Sequence, residues 1–186
     1  MERTALMLVD VQRGFDNPQW GIRNNHDAER NIARLLTRWR TLQSPIIHIQ
    51  HRSATANSPL APDQLGCDFK PEATPIAGEP IFGKQVNSAF IGTGLDQFLQ
   101  EQGIHKLVIA GFTTDHCVST TTRMAGNLGY ETVLVSDATA TFNRRGLDGV
   151  DISANDIHNA HLASLDGEFC MVKTTDEVLI DLFKPR

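Results

Sequence analysis

The sequence predicts an α/β protein: a doubly wound, mostly parallel sheet with helices on both faces, Rossmann-like in plan. Three observations predict it. Apolar runs at 4–9, 46–50, 107–110 and 132–136 lack polar alternation, as strands buried on both faces do. Segments with helical spacing stand between them, at 27–43, 93–102 and from Cys117 to about Leu128. Connections of that kind are right-handed, so the helices cover both sides of the sheet.

Residues 4–9 (TALMLV) are the first strand, with Asp10 at its carboxyl end. A carboxylate there serves a turn or a site; Val11-Gln12 is no turn pair, which favours the site. Residues 12–25 form a loop in which Phe15 and Trp20 either line a pocket or plug the loop onto the core. In the helix at 27–43, Ile32, Leu35, Leu36, Trp39 and Leu42 share one face, so Trp39 belongs to the core, and Ser44-Pro45 ends it.

The second strand, 46–50, leads into His51-Arg52-Ser53. His48 and His51 invite a metal reading, but no carboxylate or third ligand follows closely. Three-residue spacing on a strand also separates the two rings onto opposite faces, so both read as structural. Residues 54–80 are irregular and rich in Pro and Gly, a loop suited to covering part of a cleft; Cys67 lies there without an activating neighbour. A short extended piece at 81–84 ends in Lys84, a residue type that is usually a solvated surface charge.

After the helix at 93–102 and its stop at Gly103 comes the central strand, closed by Gly111. The turn Thr113-Thr114-Asp115 follows, with Thr114 or Asp115 as N-cap, and Cys117 falls in the first turn of a helix that runs to about Leu128 before Gly129. Unpaired N–H groups and the helix dipole there favour the thiolate, which is the reactive form. A lone cysteine is otherwise a small buried hydrophobe. Asp10 and the turn before Cys117 share the rim where such sheets bind ligands. Beyond the strand at 132–136, Asp137 braces a turn and 140–153 is a charged loop. His158 and His161 take packing and capping roles on a helix at 155–165. Cys170 is an inert core residue of a last strand at 168–173, and Thr174 or Thr175 caps a helix running to about Phe183.

At 186 residues the chain is expected to form a single domain, 1–186, with a sizeable core. A net charge of −5 argues against nucleic acid and anionic membranes as partners. Three widely spaced cysteines form no disulfide framework and suit a reducing, cytoplasmic setting. The amino-terminal apolar run is too short for a signal peptide or a membrane span.

Asp10, Lys84 and Cys117 come in the company of LMLVDVQRGF, the NSAF and GT segments between Lys84 and Thr93, GFTTDHCVSTT and VSDATATF. In that order and spacing the chain resembles the isochorismatase-like cysteine hydrolases, the superfamily of nicotinamidases, carbamoylsarcosine amidohydrolase and ureidoacrylate amidohydrolases. The resemblance implies an Asp–Lys–Cys triad at Asp10, Lys84 and Cys117. It also implies a cis peptide bond at Phe112–Thr113, an oxyanion hole from the backbone N–H groups of Thr113 and Cys117, and assembly as a homodimer or homotetramer. Phe15, Trp20 and Phe90 are expected to shape the substrate pocket together with the 54–80 loop. Nicotinamidases carry an Asp-x-His metal motif after the second strand where this chain has His51-Arg52-Ser53, so neither metal nor cofactor is expected. Enzymes that cleave the vinyl ether of isochorismate lack the cysteine that this chain keeps. The expected activity is therefore hydrolysis of a small-molecule amide or carbamoyl C–N bond through a thioester. The rivals are a vinyl ether hydrolase and a non-hydrolytic metabolite-binding or redox-sensing protein with Cys117 as its oxidisable thiol.

Overall fold

In a computed structural model, which describes residues 3–181, the predicted strands assemble into one six-stranded sheet. They are β1 Arg3–Val9, β2 Ile46–His51, β3 Ile81–Lys84, β4 Ile104–Phe112, β5 Glu131–Ala140 and, last in the chain, β8 Met171–Lys173. Their order is β3-β2-β1-β4-β5-β8 and every pairing is parallel. The helices are α1 Ala28–Thr41, α2 Leu95–Glu101, α3 Ser119–Asn127, α4 Ala154–Leu165 and α5 Thr175–Asp181. The end expected for α5 near Phe183 lies outside the described residues. No helix among the described residues is long and apolar enough to cross a membrane.

The pleat explains why the strands carry no polar face. Successive side chains of a strand point to opposite sides. Leu6 and Leu8 of β1 pack with Ile32, Leu35 and Trp39 of α1 and Val178 of α5. Ala5, Met7 and Val9 pack with Leu99 of α2, Ala125 of α3 and Leu165 of α4. Both layers are buried, so β1 is apolar from Ala5 to Val9. Trp39 belongs to the first layer, and its indole N–H donates to the Thr4 carbonyl at 3.1 Å.

The carboxyl-terminal third departs from the reading of the sequence. β5 does not stop at Ser136: it bulges and re-pairs, so that Ile109 faces Leu134 but Gly111 faces Thr139. The polar pair Ser136-Asp137, which reads as a strand end, occupies that bulge. Asp137 does brace, as expected: its Oδ1 accepts from the Thr175 N–H and hydroxyl, both at 2.7 Å, at the start of α5. The charged segment after β5 contains a small hairpin, β6 Arg144–Arg145 with β7 Asp151–Ile152. β8 is shorter than expected, and Cys170 makes only a bridge to Asp166 while remaining buried.

The long loop before β3 is fastened across the carboxyl-terminal rim of the sheet. The Arg13 N–H donates to the Asp68 carbonyl and the Lys70 N–H to the Val11 carbonyl, both at 2.9 Å. The Lys70 ammonium is buried and pairs with Asp16 and with Glu29 of α1.

Candidate active site

Adjacent strands of the sheet deliver the site at their carboxyl ends. β3 ends in Lys84, β2 in His51, β1 runs into Asp10, and β4 runs into the turn that carries Cys117. Parallel register does the positioning: His51 lies opposite Lys84, and Val9 lies opposite Gly111. Asp10 leaves its strand with φ of 52°, and its N–H donates to the Ile49 carbonyl at 3.0 Å. All three expected residues meet. The Lys84 ammonium lies 2.7 Å from Asp10 Oδ2 and 3.2 Å from Cys117 Sγ. Its third neighbour is His51 Nδ1, at 3.1 Å.

The site is dry. Asp10 is 0% exposed, Lys84 2% and Cys117 7%. The second Asp10 oxygen, Oδ1, is buried and accepts no hydrogen bond among the described residues. Burial pushes the Cys117 thiol well above its ordinary range, the Asp10 charge adds to that, and Lys84 pulls the other way. That upward direction runs against the expectation of an easily ionised cysteine, and the Asp10 carboxyl beside the thiol has a free acceptor. Burial, and then the Lys84 charge, hold His51 below the usual imidazole range against a smaller upward pull from Asp10.

The turn is also not the one expected. Cys117 precedes α3 and sits in a single π turn, Thr114–Val118. Neither Thr114 nor Asp115 caps it. The Thr114 hydroxyl meets His158 Nδ1 at 2.8 Å, and the Asp115 carboxylate accepts from the Thr141 hydroxyl at 2.5 Å and Arg144 Nε at 2.7 Å. The Thr113 carbonyl takes the N–H groups of His116 and Val118 at 3.2 and 3.1 Å, and the Cys117 N–H between them makes no bond to it. The Thr113 N–H has no acceptor among the described residues. The Phe112–Thr113 peptide bond is cis.

Above Cys117 opens a cavity of about 120 Å³, walled by Phe15, Trp20, Leu60 and Thr113 and rimmed by His51, Asn87, His116 and Arg144. Phe15 and Trp20 satisfy both earlier readings. They face the cavity, and they also pack on each other, with centroids 5.6 Å apart, and on Phe142. Leu60 is the contribution of the 54–80 loop. Phe90 corrects the expectation placed on it. The Ala89 N–H is tied to the Thr121 hydroxyl of α3 at 3.1 Å, and Phe90 stacks on Tyr130 in the core layer beneath; Asn87 lines the cavity instead. A larger hollow of about 450 Å³, between Arg40, Ile46, Glu79 and Phe98, lies at the other end of the strands, and none of Asp10, Lys84 and Cys117 lines it.

The donor atoms of Asp10, His51 and Cys117 lie within 4.8 Å of one another, close enough for a metal set. The Lys84 ammonium is within hydrogen-bond reach of all three, so the cation this set surrounds is the chain's own. His51 is the site residue that reasoning from sequence missed. Its signal was only positional: like Asp10, it stands at the carboxyl end of a strand inside the parallel sheet. His48, in contrast, is structural as expected, its Nε2 2.8 Å from Glu79. His158 and His161 likewise pack, against Thr114 and Ser119.

Comparison with known proteins gives the arrangement its setting. The profile of the isochorismatase domain matches residues 4–177. An isochorismatase family protein of Bacillus subtilis, YrdC, is 47% identical over 183 residues, covering 98% of each chain. Maleamate amidohydrolase of Pseudomonas putida is 28% identical over 196 residues, covering 97% of this chain and 87% of that one. A crystal structure of an isochorismatase-family protein from Chromobacterium violaceum superposes with a TM-score of 0.95 at 44% identity, over 98% of this chain and 94% of that one. With the parallel sheet, its order of strands and a profile match across almost its whole length, the chain belongs to the isochorismatase family of hydrolases.

Proposed function

We propose that this hydrolase cleaves a small-molecule amide or carbamoyl C–N bond with Cys117 as nucleophile, Asp10 as proton carrier and Lys84 as fixed positive charge. The observation that carries the reading is the dry cluster at the cavity floor, with the ammonium 3.2 Å from the sulfur and 2.7 Å from the carboxylate. A resident thiol needs a base before it attacks. Asp10 takes the Cys117 proton as Sγ bonds to the substrate carbonyl carbon. The oxyanion that forms is received by the N–H groups of Thr113 and Cys117; one such donor is worth about 3 kcal/mol in the transition state. Collapse breaks the C–N bond, and Asp10 passes its proton to the departing amine. Water then attacks the thioester while Asp10 accepts a proton from it, and the acid product leaves as the thiol is restored. Lys84 keeps its proton throughout. Phe15, Trp20 and Leu60 give the acyl portion an apolar wall, and the small cavity suits a small acyl group.

The test is turnover of a panel of small amides and carbamoyl compounds, with isochorismate alongside. The expected result is amide hydrolysis lost in a folded Cys117→Ala protein, and an acyl mass on the Cys117 peptide of the wild type trapped during turnover. Amide hydrolysis that persists in Cys117→Ala overturns the reading. Cleavage of isochorismate alone assigns ether chemistry instead.

A further inference from the structure

We infer that His51 is a positioning residue of this site, whose neutral imidazole accepts a hydrogen bond from the Lys84 ammonium and so holds that ammonium against the Cys117 sulfur. The inference rests on the reading of Cys117 as the nucleophile. An ammonium has three N–H donors and accepts nothing. Lys84 finds three acceptors: Asp10 Oδ2 at 2.7 Å, His51 Nδ1 at 3.1 Å and Cys117 Sγ at 3.2 Å. Since lysine only donates, Nδ1 must present its lone pair, and the ring proton of the neutral imidazole is on Nε2. A charged imidazolium at this distance would set two cations side by side in a dry site.

The ring is held where it is. Its residue closes β2 directly opposite Lys84 in the parallel register. The wholly buried Gln12 side chain clamps the backbone on both sides: Gln12 Oε1 accepts from the His51 N–H and Gln12 Nε2 donates to the His51 carbonyl, each at 2.9 Å. The charged and titratable groups facing His51 are Asp10 after β1, Lys84 of β3, Cys117 of the π turn and Cys67, whose Sγ lies 3.7 Å from the His51 carbonyl; His116 and Arg144 share the cavity with it. Without the imidazole, the third ammonium donor has no acceptor. The ammonium then settles toward Asp10, the stronger partner, and away from sulfur. The role is orientation of a charge, which sequence spacing between His48 and His51 does not report.

Two measurements test it. In the first, the iodoacetamide labelling rate of Cys117 is followed against pH by peptide mass spectrometry in wild type, His51→Leu and His51→Asn. The Leu variant is expected to label about tenfold more slowly near neutral pH, the value of one hydrogen bond to a charged group, with its pH midpoint moved upward. The Asn variant, which keeps an acceptor close to the Nδ1 position, is expected to recover most of the rate. In the second, two-bond proton–nitrogen correlation spectra of the unsubstituted protein are expected to show the Nε2–H tautomer of His51. This readout decides the matter should the Leu variant fail to fold. Wild-type labelling in a folded Leu variant, or a His51 proton on Nδ1, overturns the inference. A wild type that hydrolyses no amide while the labelling pattern and tautomer hold defeats the proposed reaction and leaves the His51 assignment standing.

Discussion

Lys84 has as many acceptors as donors, and that balance governs what its loss does. Lys84→Met leaves the fully buried Asp10 carboxylate without an opposite charge. Removing one side of a buried pair costs about 3–5 kcal/mol. The Cys117 thiol also loses the group that opposes burial and Asp10 in setting its pKa. Urea unfolding of Lys84→Met is therefore expected to show a loss near that size, together with slower alkylation of Cys117. A variant as stable and as reactive as wild type contradicts the electrostatic account. Asp10 and the turn that carries Cys117 are legible in the sequence because each follows an apolar run in a parallel α/β pattern, and such ends share a rim; Lys84 reads locally as a surface charge and is placed with them only by the family resemblance. His51 escaped because it follows the polar Gln50 rather than an apolar run, and local spacing says only that it does not face His48.

The element on which the site turns is β4 with the π turn after it. Gly111 takes φ of +128°, and a Cβ built there would fall 2.0 Å from the Val9 carbonyl oxygen of β1. Strand and backbone are both fixed at this point, since Val9 and Gly111 are paired in the sheet. Gly111→Ala must then push β1 from β4 beside Asp10, or twist the peptide that leads to Thr113. Destabilisation of about 3 kcal/mol is expected, read as a lower urea midpoint. Slower Cys117 labelling should accompany it, because the two strands carry Asp10 and Cys117; an alanine variant matching wild type in both would mean that this approach constrains nothing. The buried strands were readable because being dry on both faces leaves an unbroken apolar run. The end of β5 and the π turn were not. Ser136-Asp137 resembles a strand end although the strand resumes after a bulge, and Thr114-Asp115 fits an N-cap as well as it fits a turn with one extra residue.

Across the whole molecule, three carboxylates tie together segments distant in the chain. Burial opposes the charge of each, and hydrogen bonds, the largest from an arginine in every case, outweigh it. Glu29 of α1 meets Arg23 and Lys70, Glu79 meets Arg40 and His48, and Asp115 meets Arg144 with the Thr141 hydroxyl; each is held at about 2. A carboxyl whose folded pKa lies below its unfolded value contributes stability that is whole above the unfolded value and vanishes as pH falls through the folded one. Each contribution is on the order of 2 kcal/mol, and the dependence on pH holds whether or not the pair is better than an apolar substitute. Buried His48 and His158 add to the same trend at milder acidity. Burial holds both below their ordinary range, so the unfolded chain takes up their protons first. Stability is thus expected to decline from about pH 6.5 and to fall steeply below about pH 4, by several kcal/mol in all. Urea midpoints measured down that range check it, with Glu29→Gln and Asp115→Asn each expected to flatten the steep limb. A midpoint that stays level to about pH 3 would mean that the carboxylates titrate alike in the folded and unfolded chain, and that these ties do not hold the rim of the site to the rest of the protein.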